Sequence, residues 1–121
     1  MSLPVWIAVG LLGGIGALGR FLVDGIVAAR TRHDFPLGTL VVNLSGAILL
    51  GLLVGLGFTG NRLLLAGTAT LGSYTTFSTW MLETQRLVED GEAALAGANI
   101  LVSLVAGVGA AALGRFIGAH V

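Results

Sequence analysis

The sequence predicts an all-α membrane protein with four transmembrane helices, the third of them broken near its middle. Hydrophobic residues make up 55% of the chain and charged residues only 10%, and the mean hydropathy is +0.98. A surface in contact with water needs more polar side chains than this composition supplies. In addition, the few ionisable residues cluster between long apolar stretches, where membrane loops are expected. Lipid is therefore expected to cover most of the surface.

Each apolar stretch is close to the roughly 20 residues that a helix needs to cross a hydrocarbon core. The polar stretches between them are short, so consecutive helices are expected to pack antiparallel. We predict one four-helix transmembrane domain over residues 1–121. Its four spans lie at about residues 3–28, 37–58, 63–82 and 93–117.

Charge and residue types exclude several functions. Six Arg balance six Asp and Glu without a basic cluster, so nucleic acid is not an expected partner. The absence of Cys rules out disulfides and thiolate chemistry. Gly14 to Gly19 match GxGxxG, but they lie inside an apolar helix with no strand before them, and we reject a dinucleotide site. Because no catalytic constellation is present either, the chain is not expected to be an enzyme.

The arginines give the chain only a weak orientation. Arg30, Arg32 and Arg86 lie on one predicted side of the membrane, and Arg62 and Arg115 lie on the other. An excess of positive charge in the cytoplasmic loops normally sets topology. A count of three against two fits a protein that inserts in both orientations, and it equally fits a small protein oriented by another signal.

Glycine is abundant, with 20 residues. In lipid, small residues spaced four apart let two helix backbones approach closely, so such faces are expected to be contact faces. Ordinary helix packing is the simplest interpretation of these pairs. Three pairs have this spacing: Gly10 with Gly14, Gly51 with Gly55, and Gly114 with Gly118.

The third span carries the strongest signal, because eight of the twelve residues from Thr68 to Thr79 have a hydroxyl side chain. Hydroxyls bond to carbonyls one turn earlier, and Gly72 followed by two β-branched threonines lowers the helical preference. We therefore predict a helix break near residues 72–76, whose freed carbonyls would suit a hard cation. An unbroken helix with a Ser/Thr packing face is the alternative.

Other polar groups at membrane depth are functional candidates as well. Arg20 and Asp24 have the spacing of a helical ion pair, which would serve either as an anion-attracting vestibule charge or as a pair reaching toward the interface. Asn43 offers amide donors to an anion or to a neighbouring helix. Phe77 and Trp80 share a helix face, where they either pack or turn a positive ring edge toward an anion path.

These residues resemble the CrcB/Fluc family of fluoride ion channels. Three motifs carry the resemblance: Gly-Gly-x-Gly-Ala-x-x-Arg at Gly13 to Arg20, Gly-Thr-Leu-x-Val-Asn-x-x-Gly at Gly38 to Gly46, and Thr-Thr-Phe-Ser-Thr at Thr75 to Thr79, followed by Glu83. The match covers essentially the whole chain. The last two motifs together are highly specific, and the length and helix count agree.

The resemblance implies a channel in the bacterial inner (plasma) membrane that lets fluoride leave the cell passively. It also implies a dual-topology antiparallel dimer, formed by two copies of the chain or with a homologous subunit. A structural sodium ion, which is not transported, would be held at the dimer centre by the backbone carbonyls of Gly72 and Thr75. The positions matching the ion pathway are Asn43, Phe77, Ser78, Thr79, Trp80 and Ser103, and Arg20 matches a charged position.

Two positions depart from the family pattern. Trp80 stands where a second Phe is usual, and Asn99 stands where the fourth helix commonly has a Tyr. Trp retains a positive ring edge and adds an N–H donor, while Asn offers amide donors in place of the hydroxyl. We therefore expect polar contact with the path to be retained at both positions.

Two other classes of membrane protein compete with this interpretation. A small dual-topology multidrug exporter also has four helices, but it needs a carboxylate within the membrane, and Asp24 and Glu83 both lie near the ends of spans. A structural subunit of a larger complex would explain the glycine-rich faces. It gives no reason for the hydroxyl cluster.

Overall fold

The computed structural model describes residues 1–31 and 34–121, and the chain is helical over most of that length. Arg32, one of the arginines in the charge count, lies outside the described residues. The third predicted span is built from several short helical pieces that include a π-helical stretch. In chain order the elements are α1 (Leu3–Arg30), α2 (Leu37–Gly55), α3 (Gly60–Leu63), the π stretch (Leu64–Leu71), α4 (Gly72–Tyr74), α5 (Ser78–Glu89) and α6 (Ala93–Ala119).

Among the described residues, three helices are long and apolar enough to cross a membrane: α1, α2 and α6. Their most apolar windows have mean hydropathies of 1.8, 2.2 and 2.0. Large apolar side chains cover the outer face of α1, where Phe21 is 74% exposed. Three such spans with so much apolar side-chain surface exposed are typical of a protein embedded in lipid, so the chain is an integral membrane protein.

Glycines on α2 and α6 bring these two helices into close backbone contact. A methyl group at Gly114 would collide with the carbonyl oxygen of Ile48, and one at Gly51 would collide with that of Ala111. Gly55 and Gly118 are equally crowded, so two of the three predicted glycine pairs are confirmed as contact faces. At these contacts the residue numbers of α2 and α6 increase in the same direction, from Gly51 with Ala111 to Gly55 with Arg115, so the two helices run parallel. This is expected when consecutive helices alternate in direction.

The glycine pair on α1 behaves differently. Gly10 and Gly14 have no atom of the described chain within 4 Å of a methyl group placed on them, so this pair is not a contact face within the chain. Gly16 makes the close approach instead, and a methyl group there would collide with the carbonyl oxygen of Thr70 in the π stretch. Which glycine makes the contact depends on which face of α1 is turned toward the third segment. The four-residue spacing of two glycines does not specify that face.

The third segment is interrupted at residues 75–77, between α4 and α5. Thr75 has extended backbone angles (φ −76°, ψ 163°), and its hydroxyl donates to the carbonyl of Leu71 over 3.1 Å. The predicted break is therefore confirmed, although Gly72 itself is helical and the interruption lies at the end of the stretch that the sequence indicated. The π stretch before it was not predicted; there, the Thr70 hydroxyl donates to the carbonyl of Leu65 over 2.7 Å.

Candidate functional site

The side chain of Asn43 on α2 binds both backbone polar groups of Thr76 at the break. Its Nδ2 donates to the Thr76 carbonyl oxygen over 2.9 Å, and the Thr76 N–H donates to its Oδ1 over 2.8 Å. A planar amide suits this arrangement because it presents a donor and an acceptor side by side. Asn43 thus forms the interhelical hydrogen bond that the sequence left as one of its two roles.

This arrangement also diverts the usual helical donors of the Gly72 and Thr75 carbonyls. In a continuous α-helix the N–H of Thr76 would bond to the carbonyl of Gly72, and that of Thr79 to the carbonyl of Thr75. Here the Thr76 N–H goes to Asn43, and the Thr79 N–H donates to the Thr76 hydroxyl over 3.2 Å. Gly72 and Thr75, the two residues implied as sodium ligands, are thus both among the residues of the break whose carbonyls lose their usual helical donors.

A second set of contacts joins α2 to the residues around the break. The hydroxyls of Ser45 and Tyr74 lie 2.9 Å apart, and Ser45 Oγ also donates to the Val42 carbonyl over 3.0 Å; the Tyr74 hydroxyl is therefore the donor to Ser45. Gly46, the residue after Ser45, is buried against the Thr75 methyl group. Because these contacts flank the Asn43 bonds, α2 determines the path of the chain through the break.

Several of the predicted ion-pathway residues line one groove of about 600 Å³ between α2, the break and α6. The walls are otherwise mainly apolar. The Phe77 ring is 69% exposed, and it meets the Trp80 ring edge to face, with centroids 5.7 Å apart and an interplanar angle of 82°. The candidates along this groove are Asn43, Phe77, Trp80 and Ser103, together with Gly72 and Thr75.

Other candidates line a separate, small cavity of about 70 Å³. Arg20 and Thr79 line this cavity, and Thr76 belongs to both spaces. Ser78 is exposed in the first turn of α5. The predicted ion-pathway residues are therefore divided between the groove and the small cavity, and Thr76 of the break lines both.

The contacts of Arg20 and Asp24 go to other helices. Arg20 Nε donates to the carbonyl of Ser73 over 3.4 Å, and the Asp24 carboxylate lies against Gly38 at the start of α2. The four-residue spacing is compatible with an ion pair on α1, but both side chains project toward the helices that pack on it. Arg20 thereby adds a positive charge next to the break.

The two departures from the family pattern contact each other. The Trp80 indole Nε1 donates to the backbone carbonyl of Asn99 over 3.0 Å. Asn99 is only 1% exposed, and its Nδ2 donates to the Thr84 hydroxyl over 2.8 Å and to the Trp80 carbonyl over 3.4 Å. In this structure the added donors of both residues therefore point at protein acceptors and not at the groove.

Thr39 was not among the predicted site residues. It is 3% exposed, and its hydroxyl donates to the carboxylate of Glu83, which joins α2 to α5. Glu83 also lines a cavity of about 310 Å³ at the end of the bundle, with Asp34 and Arg86. The sequence did contain an indication of this role, because Thr39 is a polar residue in an apolar helix and lies one turn before Asn43 on the same face.

We expect Asn43→Leu to lower thermal stability, because the N–H and C=O of Thr76 would lose their partners at membrane depth. An unsatisfied group shielded from water costs about 1–3 kcal/mol. The thermal unfolding midpoint in one fixed detergent measures the effect. Val41→Leu, at an exposed neighbouring position of α2, is the control and should leave the midpoint unchanged. Equal midpoints for the two variants would contradict a structural role for these hydrogen bonds.

Comparison with known proteins places this site in a family. Residues 7–115 match the family model described as CrcB-like protein, Camphor Resistance (CrcB). The fluoride-specific ion channel FluC 2 of Mycolicibacterium paratuberculosis is 59% identical over 114 residues, which cover 94% of this chain and 93% of that protein. The protein of the same name from Mycobacterium bovis is 56% identical over 117 residues, covering 97% and 93%.

A more distant relative carries the same name. The fluoride-specific ion channel FluC 2 of Moorella thermoacetica is 46% identical over 112 residues, covering 90% of this chain and 92% of that protein. All three names describe ion channels and not enzymes. The match with the family model extends over nearly the whole chain, from α1 to the last turns of α6. This chain belongs to the CrcB family.

Proposed function

We propose that this protein is a fluoride-selective channel of the bacterial plasma membrane, through which fluoride leaves the cell passively. The observation that carries the proposal is the 59% identity, over 94% of the chain, to a protein named as a fluoride-specific ion channel. The groove beside the helix break supports it, because it combines amide, hydroxyl and aromatic groups within an otherwise apolar wall.

These groups suit a small, strongly hydrated anion. To enter the membrane, fluoride must exchange its water for several other donors. The amide hydrogen of Asn43 that does not bond to Thr76 and the Ser103 hydroxyl can donate along the groove, while Thr79 lines the separate small cavity. The ring edges of Phe77 and Trp80 carry partial positive charge, which attracts an anion without the deep binding of a full charge. Weak, repeated contacts of this kind allow conduction.

Purified protein in liposomes tests the function. We expect fluoride efflux that carries current, excludes chloride and needs no proton gradient, because the groove offers donors and ring edges but no proton-exchanging carboxylate. A fluoride electrode records the efflux, and a potassium ionophore supplies the counter-current. Efflux that depends on a proton gradient, or transport of organic cations, would contradict the proposal.

A variant at Phe77 separates electrostatics from packing in the same assay. Phe77→Ile keeps an apolar side chain but removes the ring quadrupole. We expect flux to fall by about tenfold or more, equivalent to about 1.4 kcal/mol in the barrier. Phe116→Ile, at an exposed position near the end of α6, is the control and should conduct normally. Normal flux through a correctly assembled Phe77→Ile protein would make Phe77 a packing residue.

We further propose that two copies assemble as an antiparallel dual-topology dimer. Each copy would have four transmembrane helices, the third of which consists of residues 60–74 followed by α5. The near balance of Arg residues between the two sides supports insertion both ways. The groove supports it too, since its polar groups and the exposed Phe77 ring lie open on one side of a single chain. A second copy would shield them from lipid. A heterodimer with a homologous subunit is the alternative.

A reporter fused after Val121 tests the orientation. We expect reporter signal on both faces of the membrane, because three Arg against two give no strong preference for either orientation. A reporter that is active only in the cytoplasm, compared with one that is active only outside it, measures the two populations. If every copy inserts one way, and flux appears only after a homologue of opposite orientation is added, this chain is half of a heterodimer.

We also propose a structural sodium ion at the centre of that dimer. Carbonyl oxygens are suitable ligands for a hard cation, and the helical donors of the Gly72 and Thr75 carbonyls go to other acceptors. Two chains would offer four such oxygens. The ion would coordinate these carbonyl oxygens and so link the helix breaks of the two chains. It would not be transported.

Replacing sodium tests this site. We expect fluoride flux and the thermal unfolding midpoint to fall when N-methylglucamine replaces sodium at constant ionic strength, because the larger cation cannot fit between backbone carbonyls. Returning sodium should restore both quantities. Undiminished flux and stability in rigorously sodium-free solution would contradict the site.

A further inference from the structure

Trp80 and Asn99 hold each other by reciprocal hydrogen bonds between α5 and α6. The side chain of Trp80 donates to the backbone of Asn99, and the side chain of Asn99 donates to the backbone of Trp80. The Thr84 hydroxyl accepts the second amide hydrogen of Asn99 and itself donates to the Trp80 carbonyl over 2.8 Å. We call this set of three residues, Trp80, Asn99 and Thr84, the α5–α6 clamp.

Two members of the clamp, Asn99 and Thr84, are buried and do not line the groove, while the third, Trp80, does. Asn99 and Thr84 are 1% and 8% exposed, whereas Trp80 lines the groove. Buried polar groups that are fully hydrogen-bonded strongly favour one arrangement, because any shift would leave a donor or acceptor unpaired. The Asn99 side chain therefore fixes the position of α5 against α6 through the Trp80 carbonyl and the Thr84 hydroxyl, and this position brings the indole N–H to the backbone carbonyl of Asn99.

The Phe77 ring depends on the indole in turn. Phe77 precedes the first residue of α5 and is 69% exposed, and its described ring contact is the edge-to-face packing on Trp80. Such a pair has a preferred geometry that follows from the ring quadrupoles. A change in the orientation of the indole would therefore change the direction in which the Phe77 ring edge points.

We infer that Asn99 is a positioning residue that sets anion selectivity by fixing the orientation of the Trp80–Phe77 ring pair. The inference rests on the proposed function for its link to fluoride, but its structural part stands independently of that function. Asn99 acts through Trp80 and does not itself contact the anion, since both of its amide hydrogens are directed at protein acceptors. The amide is needed because one side chain must donate to two acceptors at once.

The structural part is tested by spectroscopy. Trp6 and Trp80 are the two tryptophans of the chain, and Trp6 is an exposed residue of the first turns of α1, so Trp6→Phe leaves Trp80 as the only indole. In this background we expect Asn99→Leu to weaken the near-ultraviolet circular dichroism of Trp80 and to lower its fluorescence anisotropy. Val102→Leu on the outer face of α6 is the control and should change neither signal.

The functional part uses the same variants in liposomes. We expect Asn99→Leu to lower the fluoride-to-chloride selectivity about five- to tenfold, the size expected from the loss of a hydrogen bond worth roughly 1 kcal/mol. A further variant, Trp80→Leu, removes the ring itself and should lower the selectivity at least as much. If the two residues act as one unit, the double variant should lose no more than the worse single variant. Additive losses would show that Asn99 acts by another route and would overturn the inference.

Several outcomes separate the inference from the proposed function. If the native protein does not conduct fluoride, the proposed function fails, and the Trp80 signals still decide whether Asn99 positions the indole. An Asn99→Leu protein that is folded by far-ultraviolet circular dichroism, yet keeps native Trp80 signals and selectivity, would overturn the inference. If Asn99→Leu does not fold, Thr84→Val removes one acceptor of the Asn99 amide and should give the same changes in smaller measure; unchanged signals there would also overturn it.

Discussion

The two hydrogen bonds between the Asn43 side chain and the Thr76 backbone hold the interruption of the third helical segment in place. A break at membrane depth exposes peptide groups that lipid cannot hydrogen-bond, and each must find a partner in the protein. Asn43 supplies both partners from one rigid amide. By taking the Thr76 N–H, it also withholds that donor from the Gly72 carbonyl. The same interaction thus stabilises the break and leaves an acceptor available there.

The remaining contacts around the break follow from the need to bring α2 close enough for Asn43 to reach Thr76. Gly46 is buried against the Thr75 methyl group, and a side chain there would push α2 away from the break. On the other side, Gly16 lets α1 approach the carbonyl of Thr70. In lipid there is little hydrophobic drive between helices, so close backbone approach and interhelical hydrogen bonds must hold the elements together.

The break also determines where the aromatic rings lie. Because α5 begins again at Ser78, Phe77 stands at the end of an irregular segment, and its ring projects into the groove with most of its surface exposed. Trp80 lies in the first turn of the new helix, and its indole N–H bonds to the Asn99 carbonyl on α6. Contacts with α5 and α6 therefore orient the two rings, whereas contacts with α2 orient the polar groups of the break. The groove lies between these two sets of groups.

The sequence by itself determined the membrane location, the long apolar helices and the region of the break. Hydrophobicity and span length are summed over some twenty neighbouring residues, and hydroxyls with β-branched side chains weaken a helix locally, so both signals can be interpreted without knowledge of the packing. The motif around Asn43 and the Thr75 to Thr79 motif likewise indicated the candidate site. Each of these predictions depends on residues close together in the chain.

Only the tertiary structure decided which of these residues meet. It paired Trp80 with Asn99, directed Arg20 to the Ser73 carbonyl, and turned Gly16 toward the third segment in place of Gly10 and Gly14. The physical reason is that such contacts depend on how helices rotate and cross. Rotation by one residue moves a side chain by about 100° around the helix axis, and local composition does not specify that rotation when most faces of a helix are apolar.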